Sequence, residues 1–563
     1  MGTSGRQDLW ALISDAFGKT QFKLPQIPGE KPVLTGGRLF IPPALLRRAA
    51  EEAFSSLAFY FRESHLELLA KPLSDPELSP NDRRVLSSLL ENALIAARGE
   101  LALCQDTGTA VIYGWKDEGV YTGGDDGAEL EAGTARAYEK NHLRFSQIAP
   151  SSFFEEYQTG NNLPAQIRLE ALPEEGPNPR YCFLFVAKGG GSSNKTVYFP
   201  ETKALLEEKA FDAFLEEKIP ALGTAACPPY RLAVVVGGTS PEANLEVLKL
   251  ATTEILDGAP FFASPGGPAG KNRGWIFRDP YWENRVMEIA RKSGLGAQFG
   301  GTSLLLDARV LRLTRHAASC PVSIGVSCNA HRNLLAYIDG EGLHLEKLAE
   351  APGEFFARRG ILISEAGPGG AEEDIPRICL DRPLGEIRAA LSRLRAGDRV
   401  LLSGKLLVAR DAAHLRWHTL ITRGQGLPEY LFKHPIYYAG PAATPPGKVI
   451  GSLGPTTAQR MDPYGEEFMS RGASLVTLAK GNRSPQWRDA CKKYGGFYLG
   501  AIGGAAALSA ERHIISGEII DYPELGMEAV RLIEVRDLPA FILIDDKGEA
   551  HHQRVLCPRN GAD

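Results

Sequence analysis

The chain reads as an α/β protein of two domains, a larger N-terminal mixed α/β domain and a smaller C-terminal α/β domain. Three observations predict this. Segments with apolar positions at helical spacing alternate with short β-branched or aromatic runs along most of the sequence. At 563 residues, length alone favours three or four domains and allows large cores, so more than one domain is expected. A composition break falls near 350–385, where Pro352, Gly353 and then Gly367-Pro368-Gly369-Gly370 read as a linker or domain edge. The domains are therefore expected at residues 1–365 and 366–563.

The elements follow in order. Residues 1–40 are mixed and read as an irregular arm. Leu45, Ala49, Ala53 and Leu57 predict a helix within Pro42–Leu69. Val85, Leu86, Leu89, Ala93 and Leu94 predict a second over Asp82–Arg98, with Asn81 as its cap. A helix over Gly127–Asn141 precedes strands Gln166–Leu172 and Tyr181–Ala187. Helix Glu201–Ile219, strand Leu232–Val236, helices Pro241–Leu256 and Pro280–Ser293, and strand Val310–Leu313 come next. Beyond the break, helix Leu384–Leu394 and strand Arg399–Ala409 open a run of short elements. That run includes Leu532–Val535 and Phe541–Asp545 as separate strands.

Composition excludes several classes of function. A net charge of −5 and a pI near 6.2 offer no basic face for nucleic acid or acidic membrane. No apolar run approaches the roughly 18 residues of a membrane span. The N-terminus lacks a signal pattern, so a cytoplasmic protein with reduced thiols is expected.

Three constellations carry chemistry. Cys104, Cys227 and Cys320 each lie in a loop beside Gly, Pro, Ser or Thr, whereas Cys182 sits inside an apolar run as core cysteines do. Three thiolates from distant loops suit a [4Fe-4S] cluster with one iron left open for catalysis. They also suit ordinary loop thiols, since separations of 123 (104 to 227) and 93 (227 to 320) residues match no short motif. Cys328, eight residues after Cys320, is an alternative third ligand. The second constellation, Gly189-Gly190-Gly191, leaves a strand and lets backbone N–H groups approach an anion. The third is Gly451-Ser452-Leu453-Gly454-Pro455-Thr456-Thr457-Ala458-Gln459-Arg460. Here Thr456 or Thr457 can cap a helix, and Arg460, one turn on, can complete a carboxylate clamp. Lys480 and Arg410-Asp411 end strands, where α/β domains place ligands. His316, four residues before Cys320, could flank a cluster; a lone His414 is more often structural.

Five stretches together resemble the class I, iron–sulfur fumarate hydratases: Cys104-Gln105-Asp106-Thr107-Gly108, Gly223-Thr224-Ala225-Ala226-Cys227-Pro228-Pro229-Tyr230, Ser319-Cys320-Pro321-Val322, Gly451-Ser452-Leu453-Gly454-Pro455-Thr456-Thr457, and Ala479-Lys480-Gly481-Asn482-Arg483-Ser484. The resemblance runs in order from about residue 40 to 548. It implies a [4Fe-4S] cluster on Cys104, Cys227 and Cys320 in the N-terminal domain, and a homodimer. It also implies a small dicarboxylate substrate bound by Gln105, Arg144, Gly191, Arg410, Thr457, Arg460 and Lys480. Thr456 and Asp106 are the implied proton-transfer groups. The sequence departs from the family pattern where a histidine would precede Asp307-Ala308-Arg309-Val310: that position is Leu306. An apolar group there would suit mesaconate, so a mesaconate hydratase or tartrate dehydratase is the same-fold alternative. A cluster-binding redox or sensor protein without turnover is the alternative of another class.

Overall fold

The computed structural model describes residues 5–26, 29, 31–173, 177–262, 275–363 and 375–552. The expected Gly367–Gly370 linker and Cys557 lie outside these. The first residues do not form an irregular arm: helix Gly5–Lys19 buries Trp10, Ile13 and Phe17 against the first sheet.

Two sheets draw all their strands from residues 22–346 and a third draws all of its strands from 377–544. The first is six-stranded, in the order Phe22–Lys23, Leu343–Glu346, Asn333–Ile338, Tyr181–Lys188, Thr109–Asp117, Gln166–Leu172. The second is five-stranded, in the order Val197–Glu201, Cys320–Ser327, Tyr230–Gly238, Leu305–Arg315, Ile276–Arg278. Successive side chains of a strand point to opposite faces, and the inner strands here are covered on both. Phe183 and Phe185 pack on helix Pro43–Phe59, with Phe54 edge-on to Phe185 at 5.7 Å. Cys182, Leu184 and Val186 face a core shared with Ala233 and Val235 of the second sheet and with helix Pro241–Ala251. Leu232, Val234 and Val236 turn the other way, onto helices Glu208–Ala221 and Pro280–Lys292. Helices and sheets thus alternate in five layers.

The C-terminal sheet closes on itself. Arg399–Val408, Ile436–Tyr437, Val476–Ala479 and Phe497–Gly500 run parallel, and Val530–Ile544 pairs antiparallel with both the first and the last of them. The expected pair of short strands at 532–535 and 541–545 is therefore one strand of 15 residues that completes a small barrel. It survives Pro539 because its irregularity is confined to a bulge at Asp537, whose φ is +48°.

The barrel and the N-terminal layers share one apolar core. Helix Pro80–Ala96 packs among barrel residues, and Phe299 stacks on Phe541 with centroids 4.0 Å apart. Its cap is Ser79, whose Oγ accepts the Asp82 N–H at 3.1 Å, and not the expected Asn81. The helix expected over Pro42–Leu69 breaks into Pro43–Phe59 and Glu63–Ala70. Buried Asp82 accepts the N–H groups of Ala297, Thr302 and Ser303 at 2.6–3.0 Å, fixing the loop that presents Gln298. No helix among the described residues is long and apolar enough to cross a membrane.

Candidate active site

The loop Cys104–Gly108 leads from helix Pro80–Ala96 into strand Thr109–Asp117. It is fastened from both sides. Asn92 Nδ2 donates to the Leu103 carbonyl at 2.9 Å, and the Tyr138 hydroxyl lies 3.0 and 2.7 Å from the Thr107 and Gly108 carbonyls. The Thr107 hydroxyl bonds both the N–H and the carbonyl of Arg144, at 3.1 and 3.0 Å. That places the Arg144 guanidinium 3.1 Å from Asp106 Oδ1. The Gly190 N–H donates to Asp106 Oδ2 at 2.9 Å, so the glycine run does present a backbone donor to an anion, here a side chain of the protein. Burial opposes ionisation of Asp106. Arg144, Arg332, Lys480 and the Gly190 N–H outweigh it and hold the carboxyl below the usual carboxylate range.

Opposite this loop stand the carboxyl ends of the parallel barrel strands. Lys480 follows Val476–Ala479 and donates to Cys227 Sγ at 2.7 Å. Arg410 follows Arg399–Val408; its Nη2 pairs with Glu528 at 2.7 Å while its buried Nε has no partner. Gly440 joins the two sides: its carbonyl accepts from Arg144 Nη1 at 3.4 Å, and a Cβ on it would sit 3.2 Å from Arg410 Nε. Gln105 also spans the crevice, donating to the Pro455 carbonyl at 3.2 Å. Thr456 is tied to Tyr438 and Lys480 by backbone bonds of 2.8 and 3.1 Å, and Arg460 donates to its hydroxyl. The expected helix cap is absent. Thr457 precedes only a four-residue 3₁₀ turn without a side-chain cap, and its hydroxyl reaches the Ala225 carbonyl at 3.3 Å. Gly191 lies beside Lys480, whose Nζ would be 3.9 Å from a Cβ there.

The thiols require a correction. Cys104, Cys227 and Cys328 form one electrostatic group: the charge of Cys328 bears on both of the others, and Lys480 feels all three. Cys320 belongs elsewhere. It opens strand Cys320–Ser327, opposite Glu201, and its charged neighbours are Arg312, Arg315 and Glu201. Eight residues of strand at about 3.3 Å each carry the chain roughly 26 Å from Cys320 to Cys328. His316, exposed at that same far end, does not flank the three thiols. Buried His414 bonds the Arg410 carbonyl at 2.8 Å within an aromatic cluster. Leu306 packs on the core shared with the barrel, while the charged groups that bear on Asp106 are Arg144, Arg332 and Lys480.

The donor set fits an iron–sulfur group. Burial raises the Cys104 thiol and pushes Cys227 up to about 12, while Lys480 works against burial at both. No three His, Cys, Asp or Glu side chains among the described residues form a group that could hold a metal ion. The backbone also crowds the site, since a Cβ on Gly503 would lie 2.4 Å from Cys227 Sγ.

These contacts bring the expected site residues other than Cys320 together where the Cys104–Gly108 loop meets the barrel strand ends. Sequence reasoning missed Arg332, which donates to the Asp106 carbonyl at 2.7 Å, and Glu528, which holds Arg410. Arg332 had a signal, four residues after a candidate ligand; Glu528, distant from every motif, had none.

Residues 47–336 match the family described as fumarate hydratase (Fumerase), and residues 347–555 match its companion, described as Fumarase C-terminus. The chain is 48% identical over 527 residues to fumarate hydratase 2 of Leishmania major, covering 92% of this chain and 88% of the relative. It is 48% identical over 517 residues to the aerobic class I fumarate hydratase of Escherichia coli K12, covering 92% and 91%. A putative L(+)-tartrate dehydratase subunit beta of Methanocaldococcus jannaschii is 34% identical over 169 residues, covering 29% of this chain and 87% of the relative. The chain belongs to the class I fumarate hydratase family.

Proposed function

We propose that the chain catalyses the reversible hydration of fumarate to (S)-malate, with a [4Fe-4S] cluster held by Cys104, Cys227 and Cys328. The observation that carries this reading is the charge of the crevice. Arg144, Arg410 and Arg460 converge there, and the buried Nε of Arg410 has no partner, a donor that a substrate carboxylate meets. When bound, a cluster with one iron free of protein ligand supplies a Lewis acid for the oxygen that is added or lost.

The chain's own residues divide the remaining work. Arg410 and Arg460 bind and orient carboxylate. Arg460, already bonded to the Thr456 hydroxyl, stabilises the alkoxide that forms when Thr456 gives its proton to the substrate carbon during hydration. Malate dehydration reverses that transfer. Asp106 is held ionised by Arg144 and serves as proton acceptor for the attacking water. Seven described cysteines are free thiols, in keeping with a cytoplasmic setting. A homodimer is in keeping with the hairpin Ile148–Gln158, whose tip leaves Phe153 and Phe154 92% and 91% exposed.

The test is kcat/KM for fumarate, mesaconate and tartrate on anaerobically reconstituted protein, with Thr456→Ala alongside. Fumarate is expected to be the preferred substrate, and Thr456→Ala to lower kcat by about 10²–10⁴-fold with cluster content unchanged. A preference for mesaconate or tartrate refutes the substrate assignment. Full iron loading without turnover on any of the three refutes the enzymatic reading.

A further inference from the structure

Each cation of the crevice but one has an anionic or sulfur partner. Arg144 faces Asp106, Arg410 faces Glu528, Arg460 faces Asp411, and Lys480 faces Cys227. Arg332 pairs with no carboxylate among the described residues. It is 3% exposed. Its Nη2 donates to the main-chain oxygen of Asp106 at 2.7 Å, and its Nε and Nη1 are buried with no partner. Its own carbonyl accepts the Ala187 N–H at 3.0 Å, so the backbone is held at the end of strand Tyr181–Lys188 and cannot carry the side chain to water.

An uncompensated buried guanidinium is costly, and two empty donors add to the cost. The carboxylate of Asp106 does not meet the need, because it is committed to Arg144 and the Gly190 N–H. Arg332 stands between two of the thiols: it follows Cys328 by four residues, and the main-chain oxygen it bonds belongs to Asp106, two residues after Cys104. Three thiolates binding a cluster place negative charge in this buried site, and a guanidinium with empty donors can offset it.

We propose that Arg332 is a positioning and charge-compensating residue, which holds the Asp106 main chain and offsets the negative charge of the thiolate-bound cluster. The proposal rests on the reading that Cys104, Cys227 and Cys328 hold that cluster. It makes Arg332 a determinant of cluster retention, whereas Arg410 and Arg460 act on the substrate.

The experiment compares wild type, Arg332→Gln, Arg332→Lys and Arg410→Gln, all reconstituted anaerobically. It measures iron and acid-labile sulfide per chain, the rate of iron release to a chelator, and kcat and KM for fumarate. Arg332→Gln is expected to release iron about 10–100-fold faster than wild type, the usual effect of losing a residue that supports metal ligands. Arg332→Lys keeps the charge and is expected to release iron within threefold of the wild-type rate. Its kcat falls, because an ammonium does not reproduce the guanidinium's hold on Asp106. Arg410→Gln is expected to raise KM and leave iron release unchanged. Iron release from Arg332→Gln at the wild-type rate overturns the inference and leaves the cluster reading intact. A wild-type chain that takes up no iron overturns the reading of the site, and the inference with it. Should Arg332→Gln not fold, Arg332→Lys decides. Release within threefold of the wild-type rate supports charge compensation, and faster release overturns it.

Discussion

Gly503→Ala is a one-methyl test of how tightly the barrel closes on the ligand thiols. Gly503 lies in the turn between strand Phe497–Gly500 and helix Ala506–His513. A Cβ there would sit 2.4 Å from Cys227 Sγ and 3.1 Å from Lys480 Cδ. The turn cannot retreat, because its carbonyl accepts from Gln298 at 2.9 Å and Asn329 at 3.0 Å while its N–H donates to Gln298 at 2.7 Å. Against an ordinary contact near 3.6 Å, the sulfur must therefore move by about 1.2 Å. Overpacking of this kind costs about 1–3 kcal/mol of stability. An ångström of displacement at a reacting centre lowers kcat/KM by roughly 10²-fold. The assays are iron and sulfide per chain, anaerobic kcat/KM for fumarate, and thermal unfolding. Gly385→Ala is the control: it lies in helix Leu384–Leu391 with nothing within 4 Å of its Cβ, and is expected to raise stability by up to about 1 kcal/mol with activity unchanged. Gly503→Ala with wild-type iron content and wild-type kcat/KM would refute the reasoning.

Two further predictions concern charge. Glu528→Gln frees Arg410 from its 2.7 Å partner and should raise KM for fumarate, the loss of a charge-assisted contact of about 1.5–3 kcal/mol lowering kcat/KM by roughly 10–150-fold; unchanged KM contradicts the positioning role. The second is acid lability from buried histidines. Burial lowers His65 and His414 to about 3 and His552 to about 4, so the folded chain refuses protons that the unfolded chain accepts below about 6.5. Their stability contribution is complete above that pH and is lost as pH falls toward 4, each group by about 1.4 kcal/mol per pH unit. Melting temperature by calorimetry should fall steeply below pH 6. His414→Phe should flatten that slope, and equal slopes would contradict the assignment.

Much of the site was legible because its chemistry sits in short runs. Cys104-Gln105-Asp106, Thr456-Thr457 and Lys480 are adjacent to the glycines and strand ends that present them, and a reader of the sequence sees both together. The third thiol was not legible in this way. Pro321 made Ser319-Cys320-Pro321 look like a loop, whereas the pairing of this strand with Tyr230–Gly238 begins only at Val322, beyond the proline. Once the segment is a strand, its two cysteines fall at opposite ends, and only the sheet order says which end meets the barrel. The barrel itself was hidden for a related reason. Closure depends on one strand pairing with two distant partners, and the local pattern around Pro539 gives two short strands instead. In helix Gly5–Lys19, by contrast, Trp10, Ile13 and Phe17 are spaced for one buried face, so the signal for it is present in the sequence.

The most direct measurement of the central claim is iron and acid-labile sulfide per chain in Cys328→Ser and Cys320→Ser after anaerobic reconstitution. Cys328→Ser is expected to lose most of its cluster and its fumarate hydration, while Cys320→Ser, at the far end of the same strand, keeps both at the wild-type level. A cluster that survives Cys328→Ser and is lost in Cys320→Ser would contradict the account.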